Sequence, residues 1–132
     1  MLAELLVLLV LVGGCIAIVA VKVLTPVRSP ADATREYLAA LRTGDTAKAF
    51  ALLCRQGRTK LTRATFAQSV AEERRANGAV VKYRILAELV ESGGTARVRY
   101  TLTTTKRVGT VEALLEKDGG AWKLCDFRQL PP

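Results

Sequence analysis

The chain holds three cysteines, three tyrosines and no histidine. Without histidine it lacks the commonest general base, the usual pH-sensitive side chain and the commonest metal ligand. Ser-His hydrolase chemistry is therefore excluded. Cys15, Cys54 and Cys125 form no C-x-x-C pair. With no imidazole to activate a sulfur, neither a redox couple nor a nucleophilic thiol is expected. No glycine-rich phosphate loop with a following Lys-Ser/Thr occurs, and Gly93-Gly94 and Gly119-Gly120 read as hairpin turns. The carboxylates are scattered without ligand spacing, so no metal and no cofactor are expected. The most localised charge is Arg55, Arg58, Lys60 and Arg63 around Gly57. It reads as a solvated basic stretch, with anionic lipid or polymer as its functional alternative. Nucleic acid is not an expected partner, because aromatic residues are few and suggest no stacking surface.

The elements that must position these residues fall into two unequal parts. Of the 20 Lys and Arg only Lys22 precedes Arg28, and of the 12 Asp and Glu only Glu4 does, so the net charge of +8 resides downstream. That excess suits an anionic partner, although the charges are spread rather than blocked, as on an ordinary solvated surface. The part after the first segment has the size of one domain, large enough to bury a core without a metal.

The first segment reads as a membrane anchor. Seventeen residues from Leu5 to Val21 carry no charge, and Val23 and Leu24 extend the run past Lys22. A spanning helix needs roughly 20 residues to cross ~30 Å of hydrocarbon. Leu2 to Leu24 meets that length if Lys22 reaches toward the interface. Pro26 then removes the amide that would continue the helix. A cleaved signal peptide would have a basic start and a shorter apolar core, whereas this start carries Glu4. Leu11 to Cys15 resembles a lipidation box, but apolar residues rather than a polar tether follow Cys15. The reading adopted is one uncleaved span over 1–24, a linker over 25–29 and a domain over 30–130. Flanking Lys22 and Arg28 taken alone would place that domain in the cytoplasm.

Within the domain, Ser29-Pro30-Ala31-Asp32 is a helix start, with Ser29 as cap and Asp32 reaching back. Tyr37, Leu38 and Leu41 share one face, and Gly44 ends the helix. Asp45 caps a second helix presenting Phe50, Leu53 and Cys54. Thr62 caps a third, running to Ala76 with Phe66, Ala67 and Val70 inward. After Gly78 the period becomes alternating. Val81, Tyr83, Ile85 and Leu89 mark one face of a long strand, and Ser92 to Thr95 is a hairpin turn. In the next strand Ala96, Val98, Tyr100 and Leu102 point one way, while Arg97, Arg99, Thr101, Thr103 and Thr105 point the other. Lys106, Arg107 and Gly109 break the run. A third strand covers Thr110 to Lys117 and a fourth Ala121 to Arg128. This is an α+β order: three helices packed on one dry face of a four-stranded antiparallel sheet. The wet face around Arg97, Arg99, Thr101 and Thr103 is the candidate partner surface.

Two stretches carry a family likeness: YLAALRTGDTAKAFALLC from Tyr37 to Cys54, and GGAWKLCDF from Gly119 to Phe127. With the helix-then-meander order, they resemble the nuclear transport factor 2-like (cystatin-like) superfamily, in its branch of small bacterial envelope and lipoprotein domains of unknown function. The resemblance implies a curved sheet wrapped on a long helix into a cone. It also implies a disulfide between Cys54 and Cys125. The plainer alternative is two buried thiols in a cytoplasmic core. A disulfide would require an oxidising compartment, and this outweighs the flank charges in favour of an extracytoplasmic domain. Enzymes of the superfamily, isomerases and dehydratases, carry acids and tyrosines inside the cone. By resemblance Tyr37, Tyr83, Tyr100 and Asp126 are the candidates, each with a plainer structural role. The function expected is a non-catalytic, membrane-tethered binding or assembly module of the envelope. A carrier of a small apolar ligand is the second reading and an enzyme the third. Envelope proteins or an anionic lipid or polymer are the expected partners besides the membrane, and nothing in the sequence speaks to oligomeric state.

Overall fold

The computed structural model describes residues 29–131. The expected anchor and Cys15 lie outside the described residues. No helix among the described residues is long and apolar enough to cross a membrane.

Among the described residues four helices precede four strands: α1 (Pro30–Thr43), α2 (Thr46–Ala51), α3 (Arg55–Lys60), α4 (Arg63–Asn77), β1 (Val80–Glu91), β2 (Thr95–Thr104), β3 (Val108–Asp118) and β4 (Ala121–Leu130). The sheet is an antiparallel meander in the order β1-β2-β3-β4. The α+β class holds. The expectation of three helices is corrected to four, because the basic stretch after Cys54 winds into α3 instead of remaining a loop.

The caps explain most helix ends. Ser29 Oγ accepts from Asp32 N at 3.1 Å, but the Asp32 carboxylate pairs with Arg35 at 2.8 Å rather than reaching back. Gly44 ends α1 at φ 79°, where its amide and that of Asp45 close onto the last carbonyls. Asp45 then caps α2 by accepting from Lys48 N at 3.1 Å. Thr62 and Thr65 cap α4 reciprocally. α2 is shorter than expected. Leu53 and Cys54 are buried not on its face but in a segment that joins β4: Cys54 N donates to Leu124 O at 2.8 Å and Leu124 N to Leu52 O at 2.9 Å.

The core lies between the helices and the inner face of the sheet. Leu38, Val98, Leu115 and Leu124 are at most 1% exposed. In β2 the alternation is as expected, with Ala96, Val98 and Tyr100 buried and Arg97 and Arg99 exposed. β1 departs from its expected face. Its pairing with β2 slips between Val80 and Lys82 and again between Ile85 and Ala87. A bulge shifts the side-chain phase by one residue. Tyr83 and Ile85 therefore pack on the core, whereas Val81 is 44% and Leu89 57% exposed. Past the second slip Glu88 takes the inner register opposite Val98, and its Oε2 accepts from Ala31 N at 2.9 Å in the first turn of α1. β3 begins at Val108, earlier than expected, so Gly109 is paired within the sheet opposite Leu102.

Candidate functional site

α4 carries few large apolar side chains. Phe66 is its one buried residue, Val70 is half-buried, and Ser69, Glu73 and Arg74 occupy further positions beside the sheet. Such a helix cannot fill the space it covers. A cavity of about 510 Å³ remains between helices and sheet. Leu41, Phe66 and Val70 wall it on the helical side, and Leu102, Val111 and Phe127 on the sheet side. Phe127 reaches this face because a bulge at Cys125 shifts β4 by one residue, bringing Phe127 opposite buried Ala113. Its ring stacks on Tyr37 at 5.1 Å, and the residue is still 36% exposed. The polar lining residues Glu73, Arg74, Arg107 and Gln129 are all exposed, so they stand at the opening while the buried walls are apolar. Volume and lining both fall in the range of small-molecule sites.

Tyr37 borders this cavity and Tyr100 lies in the adjoining core. Burial pushes both phenols well above their ordinary value, and Tyr100 is raised further by Tyr37. Both are neutral at physiological pH and can serve as hydrogen-bonding groups but not as phenolate bases. Tyr83 is half-buried against the core. Asp126 borders the cavity but is exposed, and its Oδ1 accepts from Phe127 N at 2.9 Å. The four enzyme candidates thus sit in or near the cone, with the one carboxylate turned onto its own strand.

Cys54 and Cys125 stand at disulfide-bonding distance, with Cα atoms 5.1 Å apart. The pair pins the segment after α2 to β4, beside the backbone bonds of Leu124 and a donation from Lys123 Nζ to Ala51 O at 3.1 Å. The Glu116 carboxylate and the two sulfurs offer ligand atoms within 4.8 Å of one another. With the sulfurs joined, only the carboxylate remains to offer a cation.

Arg97, Arg99, Thr101 and Thr103 share the outer face, as the alternation requires. The arginines are already engaged: Arg97 pairs with Glu91 at 2.9 Å and Arg99 with Glu112 at 3.4 Å. Glu112 also accepts from Arg128 at 2.7 Å and is only 5% exposed beneath the two guanidiniums. The hydrogen bond from Arg128, then that from Arg99, holds its carboxyl below the usual value despite its desolvation. Sequence reading missed Glu112 and Arg128. Strand register alone would have revealed them, since it sets Arg99, Glu112 and Arg128 side by side. Of the basic stretch, Arg55, Arg58 and Lys60 lie on α3 and Arg63 opens α4, with Arg58 3.8 Å from Asp118. Lys60 and Arg97 line a second, polar hollow of about 480 Å³. The structure therefore brings together one residue from each basic group.

No family model matches the sequence, and no curated protein does. Solved structures match in fold. A SEC-C motif containing protein from Rhodopseudomonas palustris aligns with a TM-score of 0.61 at 14% identity, over 79% of this chain and 83% of its own. A ketosteroid isomerase-like protein from Erwinia carotovora atroseptica aligns at 0.56 and 20% identity, over 82% and 98%. An NTF-2 like protein of unknown function from Shewanella oneidensis aligns at 0.51 and 15% identity, over 74% and 92%. The fold is thus nuclear transport factor 2-like, and at these identities the likeness speaks for fold alone.

Proposed function

We propose that this domain is a ligand-binding module, tethered to a membrane by its N-terminal segment, that holds a small and largely apolar molecule in the cone. One observation carries the reading: the apolar cavity of about 510 Å³, whose wall includes the inner-facing residue Phe127, left 36% exposed. Leaving such a ring uncovered forgoes burial worth about 25 cal/mol per Å², which a bound apolar molecule would restore. Of the readings open at the sequence level, a roomy cone favours the carrier over a module that acts only through its surface. An enzyme is the least supported, because Asp126, the one carboxylate among the candidate residues, is tied to its own strand.

The test uses the full chain in lipid nanodiscs and a photoactivatable dodecanol. Adducts mapping to α4, β3 and β4 are expected, and Val70→Trp, which fills the cavity from a half-buried helix position, should abolish them with the far-ultraviolet spectrum unchanged. Labelling that ignores Val70→Trp sinks the reading. Placement of the domain outside the cytoplasm is part of the proposal and rests on the paired cysteines. On intact cells an impermeant thiol reagent should label Cys54 and Cys125 only after reduction. Labelling only after lysis would put the domain on the other side.

Exposed apolar residues on edge strand β1 support a second reading, an assembly surface. Leu86 is 49%, Leu89 57% and Val90 55% exposed. The bulges and the charges of Lys82, Arg84 and Glu91 on the same strand oppose it, since these are the features that keep free edges unpaired.

A further inference from the structure

Four charged groups border the cavity: Glu73, Arg74, Arg107 and Asp126. Glu73 is occupied, its Oε1 accepting from Asn77 Nδ2 one turn later in α4. Asp126 stands farther along β4, beside Cys125, where the cavity borders the polar hollow. Arg74 and Arg107 make no side-chain hydrogen bond or ion pair within the described residues.

The fold holds these two arginines at one end. Arg74 is in the last turn of α4 and Arg107 in the turn between β2 and β3. That turn and the end of β2 are fastened to the helix end and the residues just after it by four bonds: Lys106 Nζ donates to Arg75 O at 2.7 Å, Thr105 N donates to Ala79 O at 3.0 Å, Ala79 N donates to Thr105 Oγ1 at 3.2 Å, and Thr104 Oγ1 donates to Asn77 O. Gly78 allows the close approach, for a Cβ at its φ of 90° would meet Lys106 N at 2.9 Å. Lys106 adds a third positive charge beside them. Two guanidiniums without a partner among the described residues, bordering an apolar cavity, can act as a head-group receptor next to a chain receptor.

We propose that the cavity takes a single-chain amphiphile with an anionic head, a fatty carboxylate being the simplest. The chain lies against Leu41, Val70, Val111 and Phe127, and Arg74 and Arg107 meet the head. This rests on the reading of the cavity as a ligand site, and its test separates the two. Full-length protein in nanodiscs is photolabelled with matched diazirine-bearing dodecanoate and dodecanol. The carboxylate should label α4, β3 and β4 at lower concentration than the alcohol. The double variant Arg74→Ala/Arg107→Ala should weaken carboxylate labelling about ten-fold or more, the scale of losing charge-assisted hydrogen bonds, and leave the alcohol unchanged. Both residues are exposed, so folding is expected to survive, and Arg74→Lys/Arg107→Lys should restore part of the preference. Equal labelling by acid and alcohol, with no effect of the alanines, overturns the head-group assignment and leaves the cavity reading standing. No cavity labelling by either probe overturns both.

Discussion

The two faces of this one sheet handle polar chemistry in opposite ways. On the inner face, Tyr100 and the apposed Tyr37 are buried and kept neutral, their phenols raised by desolvation. On the outer face, Glu112 is almost as well covered, yet it is kept charged because Arg128 and Arg99 bond to it. Burial alone therefore does not decide ionisation; the supply of partners does. The apolar cavity lies on the inner face. That face is covered by separate helices that leave a gap, whereas the outer face covers its own buried acid with neighbouring arginines.

That contrast breaks most severely if the cover is detached. The Cys54–Cys125 pair spans 71 residues and fastens the segment after α2 to β4. In the chain-entropy account a loop of that length contributes about 4 kcal/mol. Cys54→Ala/Cys125→Ala should lower unfolding stability by roughly that amount in urea titration. Hydrogen exchange should accelerate first at the Cys54 and Leu124 amides. A loss well under about 1 kcal/mol would mean that the backbone bonds hold the cover without the sulfurs.

The next test separates the faces by alkali. Both phenols have folded values above the ordinary 10.0, so the stability they contribute is fully present below pH 10.0 and is lost as pH rises beyond it. Thermal unfolding followed upward from that pH should fall steeply in the parent. It should fall less steeply in Tyr37→Phe, which keeps the ring stacked on Phe127. Equal slopes would show that the Tyr37 hydroxyl is already solvated through the cavity.

The inner face was the more legible of the two in the sequence, but only where its pattern was local. Ala96, Val98 and Tyr100 announced their burial by strict alternation, and Ser29, Gly44, Asp45 and Thr62 announced their caps. Leu89 was misplaced because the phase depends on a bulge at Leu86, and no residue type marks that bulge. α3 was hidden because Arg-Gln-Gly-Arg-Thr-Lys has no apolar period. The cavity was illegible for a deeper reason. It is defined by what α4 fails to fill, and by the bulge at Cys125 that turns Phe127 inward, neither of which exists before helix and sheet meet. The arginines that border it are 33 positions apart, and only the bonds between the β2–β3 turn and the end of α4 bring them to one cavity.

The smallest expected effect lies on the outer face, in acid. Glu112 has a folded value below the ordinary 4.5, so the stability it contributes is present above that pH and is lost as pH falls through the lower folded value. Glu112→Gln keeps the shape but not the charge, leaving Arg99 and Arg128 facing each other without a counter-ion. Near neutral pH the variant should be less stable than the parent, by less than either change on the inner face, because both guanidiniums are more than half exposed and screened by solvent. As the solution is taken below 4.5 the parent loses its advantage, so the urea midpoints of the two proteins should converge. Added salt should shrink the gap at neutral pH in the same direction. If the midpoints instead stay a constant distance apart down to acid, the variant's loss comes from packing and not charge. The outer face would then owe its buried carboxylate to shape, as the inner face does its phenols, and the opposition between the faces would collapse.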